Sequence, residues 1–151
     1  MSILFILSGG LMTNEPFPSG TMELVLKSDL KSIQRVVDRT EAFLGPRVSD
    51  DDLAYRIVLL ATEAVTNAIE HGNKFDAEKN VYFRIEADGE QVEIVVEDEG
   101  TGFDPAMTKD PRASENLLRE GGRGILFMQS MADEVNFENG GRRVRLIFYA
   151  G

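Results

Sequence analysis

An acid, an amide and an imidazole recur every fourth residue in the segment Glu63-Ala64-Val65-Thr66-Asn67-Ala68-Ile69-Glu70-His71. That interval puts Glu63, Asn67 and His71 on roughly one stripe of a helix. A carboxylate placed there can take the proton of a hydroxyl or water attacking a phosphate. The carbonyl oxygen of Asn67 is a hard donor suited to Mg²⁺, which takes few protein ligands and completes its shell with phosphate and water. His71 is a second candidate base, although its place near the helix end suits capping or packing better. Taken alone, Glu63 and Asn67 also fit a solvated helix face.

Two glycine-bearing segments lie downstream, Asp98-Glu99-Gly100-Thr101-Gly102 and Gly121-Gly122-Arg123-Gly124. Asp98 ends a strand pattern, where a carboxylate can accept a hydrogen bond from an amino group such as adenine N6. Gly100 and Gly102 let backbone approach a ligand with no Cβ in the way. A tight turn after a strand uses the same residues. Gly122, Arg123 and Gly124 open a helical pattern, and free N–H groups at a helix N-terminus bind phosphate. Arg119 and Arg123 are cations that can stabilise phosphate charge. Neither a Walker A loop nor a dinucleotide fingerprint is present. An acid, an amide and two glycine turns in this order suggest a nucleotide site.

The elements that must position these residues are legible from periodicity. Residues 13–21 read as a linker, so residues 1–21 are expected to form a flexible N-terminal tail and 22–151 a single domain. Met22 to Lys27 alternates and suits a strand. Ser28 or Asp29 can cap a helix carrying Leu30, Ile33, Val36, Val37 and Leu44, which Gly45-Pro46 stops. Ser49 to Asp52 caps a long helix running to about Glu70, with Gly72-Asn73 as its stop. Leu53, Ile57, Leu60, Ala61, Ala64, Ala68 and Ile69 form its apolar face. Asn80 to Ala87 and Gln91 to Glu97 are strands joined by Asp88-Gly89, a strong hairpin signal. Residues 103–121 read as a long functional loop. Ile125 to Met131 is a short helix, and Glu134 to Glu138 pairs with Arg142 to Tyr149 across Asn139-Gly140-Gly141. Strands and helices do not alternate regularly, which favours an α+β fold.

Composition narrows the function classes. The 151 residues include 16 basic and 26 acidic side chains, a net charge of −10 that argues against nonspecific nucleic-acid binding and permits a basic protein partner. The absence of cysteine excludes thiolate metal sites and thiol nucleophiles, and one histidine excludes a multi-histidine centre. The apolar run Ile3 to Leu7 is too short to span a bilayer. A cytoplasmic protein with no membrane partner is expected.

Glu63-xxx-Asn67-Ala68-xx-His71-Gly72, then Asp98-x-Gly100-x-Gly102, then Gly122-x-Gly124 resembles the N, G1 and G2 boxes of the Bergerat-fold (GHKL, HATPase) ATP-binding domains. Within that superfamily, Glu-Ala-Val-Thr-Asn-Ala-Ile is most similar to the small bacterial anti-sigma-factor serine/threonine-protein kinases. The resemblance runs from about Met22 to Tyr149. It implies a two-layer α/β sandwich, with a mixed, mainly antiparallel sheet and helices on one face. It further implies ATP and Mg²⁺ as cofactors, held between the long helix and a lid formed by residues 103–121. Asn67 would hold the metal, Asp98 would read adenine, and Gly100, Gly102, Gly122, Arg123 and Gly124 would line the nucleotide. Glu63 would be the catalytic base activating a serine hydroxyl. The implied partners are an anti-anti-sigma (STAS) protein as substrate and a sigma factor to be sequestered. Arg35 matches a basic first-helix position that contacts partners, and such proteins commonly form homodimers. Superfamily members usually carry a Thr after the last glycine turn, where this chain has Arg142 and Arg143. The alternative is an ATP-gated protein-binding module without phosphoryl transfer.

Overall fold

The computed structural model describes residues 4–7, 10–13, 16–102 and 123–150. The strands are β1 (Leu4–Leu7), β2 (Gly10–Thr13), β3 (Phe17–Lys27), β4 (Asn80–Gly89), β5 (Gln91–Glu97), β6 (Glu134–Glu138) and β7 (Arg143–Tyr149). The helices are α1 (Ser32–Leu44), α2 (Asp51–Asn67) and α3 (Arg123–Met131). Among the described residues, β1 and β2 pair only with each other, while the other strands form one sheet in the order β3-β4-β5-β7-β6. Every described pairing is antiparallel, so the expected mainly antiparallel sheet contains no parallel pair among the described residues.

Alternation gives the sheet one covered face. Leu24 and Leu26, then Val81, Phe83, Ile85 and Ala87, then Val92, Ile94 and Val96, then Val144, Leu146 and Phe148 are buried at every second position. They join Val36, Phe43 and Leu44 of α1, Ile57, Leu60, Ala61, Ala64 and Val65 of α2, and Met128 of α3 in one core. Each large side chain fully buried in this way contributes roughly 1.5–3 kcal/mol. The opposite face carries charge: Glu93 lies against Arg145 and Arg84, and Glu97 against Arg143.

The N-terminal region departs from expectation. Within residues 1–21, expected as a flexible tail, Leu4–Leu7 pairs with Gly10–Thr13, and the main sheet begins at Phe17 rather than Met22. Pro18 is tolerated because β3 is an edge strand, and the register shift between Phe17 and Gly20 marks a bulge. Phe17 is buried in the core, which anchors this start. Ser28 and Asp29 do not cap α1 either. Ser28 Oγ donates to the Lys79 carbonyl at 2.5 Å, and Asp29 Oδ1 accepts from the Lys31 N–H at 2.9 Å, ahead of the helix.

Candidate functional site

The long helix is built to deliver its C-terminal end. Asp50 caps α2, its Oδ1 accepting from the N–H groups of Asp52 (3.0 Å) and Leu53 (3.2 Å). Asp51 and Asp52 add negative charge to the first turn, where the helix dipole favours it. Burial of Ile57, Leu60, Ala61, Ala64 and Val65 then fixes the helix rotation. Glu63 and Asn67, one turn apart, emerge partly buried on the adjoining stripe. Burial pushes the Glu63 carboxyl above the usual glutamate range, and the neighbouring charge of Glu70 raises it further. Asn67 closes the α-helix, and its amide Nδ2 is buried with no hydrogen-bond partner among the described residues.

Beyond Asn67 the helix changes pitch. The chain stays helical past Glu70, as the sequence pattern predicts, but Ala68–Gly72 forms a π-helical turn, a feature often found at functional sites. The Asn73 N–H donates to the Ala68 carbonyl at 2.8 Å and closes that turn. Lys74 and Phe75 follow in left-handed conformations, with φ of 52° and 59°. His71 stands half-exposed, its Nε2 3.9 Å from Glu70 Oε2.

Asp98 reaches the π turn from the sheet. Its N–H donates to the Arg142 carbonyl at 3.0 Å, and its Oδ1 accepts from the Gly100 N–H at 2.8 Å. The residue is only 8% exposed, and that burial raises its pKa; the Gly100 hydrogen bond and the Arg142 charge oppose the rise without cancelling it. A Cβ at Gly72 would lie 2.3 Å from the Asp98 carboxyl carbon, and a Cβ at Gly100 would lie 2.0 Å from the Gly72 carbonyl oxygen. Gly102 has φ of +83°, and its Cβ position is 2.2 Å from the Gly140 carbonyl oxygen. Gly100 and Gly102 are thus required by backbone packing against the π turn and the β6–β7 turn.

The structure brings Gly72, Asp98 and Gly100 into contact at the end of the helix that carries Glu63 and Asn67. Arg123 and Gly124 begin α3, which is tied to α2 by the Arg56 Nη1 donation to the Met131 carbonyl at 3.1 Å. Gly122, Arg119 and the expected lid at 103–121 lie outside the described residues. Arg35 sits exposed on α1, and its Nη1 donates to the Val25 carbonyl of β3 at 3.3 Å. Two residues carry more of the site than sequence reasoning gave them. Arg142 supplies the carbonyl that holds the Asp98 peptide, and Asn73, read only as a helix stop, is almost fully buried between segments. An asparagine after a glycine at a helix end was the available signal, and it is an ordinary one.

One amphipathic helix ending in an acid–amide stripe, packed with a buried strand-end aspartate and flanking glycines, defines a class. Residues 26–148 match the histidine kinase-like ATPase domain, and the chain belongs to this family. Among curated proteins it is similar to the serine-protein kinases RsbW of Staphylococcus aureus strains MSSA476 and MW2. Each is 37% identical over 86 residues, covering 51% of this chain and 53% of the relative. The chain therefore spans about half the length of these relatives. No helix among the described residues is long and apolar enough to cross a membrane.

Proposed function

We propose that this protein is a cytoplasmic anti-sigma regulatory factor that uses ATP and Mg²⁺ to phosphorylate a serine of an anti-anti-sigma (STAS) protein and otherwise sequesters a sigma factor. The observation that carries this reading is Asp98, a buried carboxylate without an ion-pair partner among the described residues, held against the π turn below Glu63 and Asn67. Such a group suits recognition of the adenine amino group. Likeness to proteins named as serine-protein kinases supports the choice of acceptor.

Asn67 is the residue to hold Mg²⁺. Its buried Nδ2, with no hydrogen-bond partner among the described residues, is a donor with capacity to spare for a nucleotide oxygen. The side-chain oxygen is the hard donor that would bind the ion, and a single protein ligand is ordinary for Mg²⁺. Bound there, Mg²⁺ would offset phosphate charge. Glu63 acts as the base. Its carboxylate takes the proton of the acceptor serine as Oγ bonds to the γ-phosphorus, the bond to the β-phosphate oxygen breaks, and ADP leaves. The raised Glu63 pKa makes it a stronger proton acceptor than a solvated glutamate. Gly122, Arg123 and Gly124, before and at the start of α3, would line the phosphates, and Gly100 and Gly102 would line the base. Arg35, exposed on α1, contributes to the partner surface, and the active form is a homodimer.

The test is phosphoserine formation on the cognate STAS protein with ATP and Mg²⁺. Glu63→Gln lowers transfer by about 10²–10⁴-fold, the usual contribution of a positioned base, with nucleotide affinity retained. Undiminished transfer in that variant would sink the role given to Glu63. A second reading, an ATP-gated binding module, is favoured by Arg142 standing where related domains usually carry a Thr. Tight nucleotide binding with no transfer to any STAS partner would select it.

A further inference from the structure

We infer that Asn73 is a positioning residue that keeps the two walls of the nucleotide site, the end of α2 and the Asp98–Gly102 loop, in register. The inference rests on the nucleotide reading above and adds a residue to it. Asn73 is 1% exposed, and both ends of its side-chain amide are used. Oδ1 accepts from the Glu99 N–H at 2.8 Å. Nδ2 donates to the Asn80 carbonyl and to Ser28 Oγ, each at 2.9 Å. Ser28 in turn donates to the Lys79 carbonyl at 2.5 Å. One side chain thus joins the end of β3, the start of β4 and the loop after β5, while its own N–H closes the π turn on Ala68.

The residue type is dictated by this bonding. Aspartate would offer no donors to Ser28 and Asn80, serine would be too short to span them, and glutamine would overfill a buried slot. The consequence for the site is direct. Gly72 precedes Asn73 in the chain and lies against the Asp98 carboxylate, and Glu99, which Asn73 grips, follows Asp98. A shift of Asn73 displaces the carboxylate from both sides. A satisfied buried network of this kind holds geometry more tightly than its separate bonds would.

Calorimetric titration of the full chain with a non-hydrolysable ATP analogue and its GTP counterpart, both with Mg²⁺, separates positioning from mere stability. Asn73→Ser is expected to weaken the ATP analogue by about tenfold, and to narrow the preference for adenine over guanine. Ser28→Ala, which removes the two bonds made by Ser28 Oγ but leaves Asn73 its bonds to Asn80 and Glu99, should act in the same direction by about threefold. Val36→Ala, in the α1 core, should lower the denaturation midpoint and leave both affinities unchanged. If Asn73→Ser does not fold, Ser28→Ala decides alone. Wild-type affinity in the folded variants overturns the inference. So does a loss shared equally by both analogues, or one matched by Val36→Ala. A wild-type protein that binds neither analogue overturns the nucleotide reading itself, a different result from a binding protein that ignores Asn73.

Discussion

Glu93 lies within β5 and Asp98 just past its end, and the two meet opposite surroundings. Glu93 lies on the open face, where Arg145 Nη1 approaches it at 2.6 Å and Arg84 Nη2 at 3.4 Å. Arg145 also reaches Glu138, so charge on that face is neutralised where it stands. Asp98 continues the parity of Val92, Ile94 and Val96 and occupies the place of the next core residue. It accepts one backbone N–H and forms no ion pair among the described residues. The first carboxylate is part of the scaffold. The second is held at a cost in stability, as expected of a group kept for a ligand.

The comparison breaks most visibly at Asp98. Asp98→Asn is expected to weaken nucleotide binding by up to about 100-fold, since a hydrogen bond to a charged group is worth roughly 1.5–3 kcal/mol. Titration with the ATP analogue measures it. The same substitution should stabilise the ligand-free protein near neutral pH. Burial raises the folded-state pKa of Asp98 and of Glu63, so their stabilising contribution is complete below the unfolded carboxyl range and is lost as pH rises through the raised values. The wild-type denaturation midpoint should therefore fall more between mildly acid and neutral pH than that of Asp98→Asn. Equal slopes would mean the burial of Asp98 carries no linkage.

The next effect is on packing. Gly100→Ala puts a methyl 2.0 Å from the Gly72 carbonyl oxygen, a backbone clash that must move one wall. A loss of about 1–3 kcal/mol by chemical denaturation is expected, together with weaker nucleotide binding. The smallest effect belongs to the open face. Glu93→Gln should cost about 1 kcal/mol or less, as partly exposed ion pairs do, and leave nucleotide affinity alone. A large nucleotide effect there would erase the contrast between the two carboxylates.

How much of this was legible in the chain depended on the range of the interactions. Gln91–Glu97 and Glu134–Glu138 matched their predicted bounds because alternation and glycine turns are local signals. Glu63, Asn67, Asp98, Gly100 and Gly102 were visible as types and spacings, and the packing of Gly100 on Gly72 gives the first of those glycines a structural reason the sequence did not supply. The role of Asn73 was hidden because its partners, Ser28, Asn80 and Glu99, come from three separate segments, two of them far along the chain. The early start of β3 was hidden for another reason. Pro18, Ser19 and Gly20 carry the composition of a linker, and only an edge position with a bulge reconciles them with pairing.

The π turn at Ala68–Gly72 makes chain length a determinant alongside residue identity. Such a turn is an α-helical turn with one residue inserted. Deleting one residue there would restore regular helix and leave the apolar face of α2 upstream untouched, yet every later residue of the turn would swing by about 100° around the axis. Gly72 would leave Asp98, and Asn73 would leave its three partners. A single-residue deletion could therefore preserve the sandwich and abolish the site, a loss that no inventory of retained motif letters would reveal.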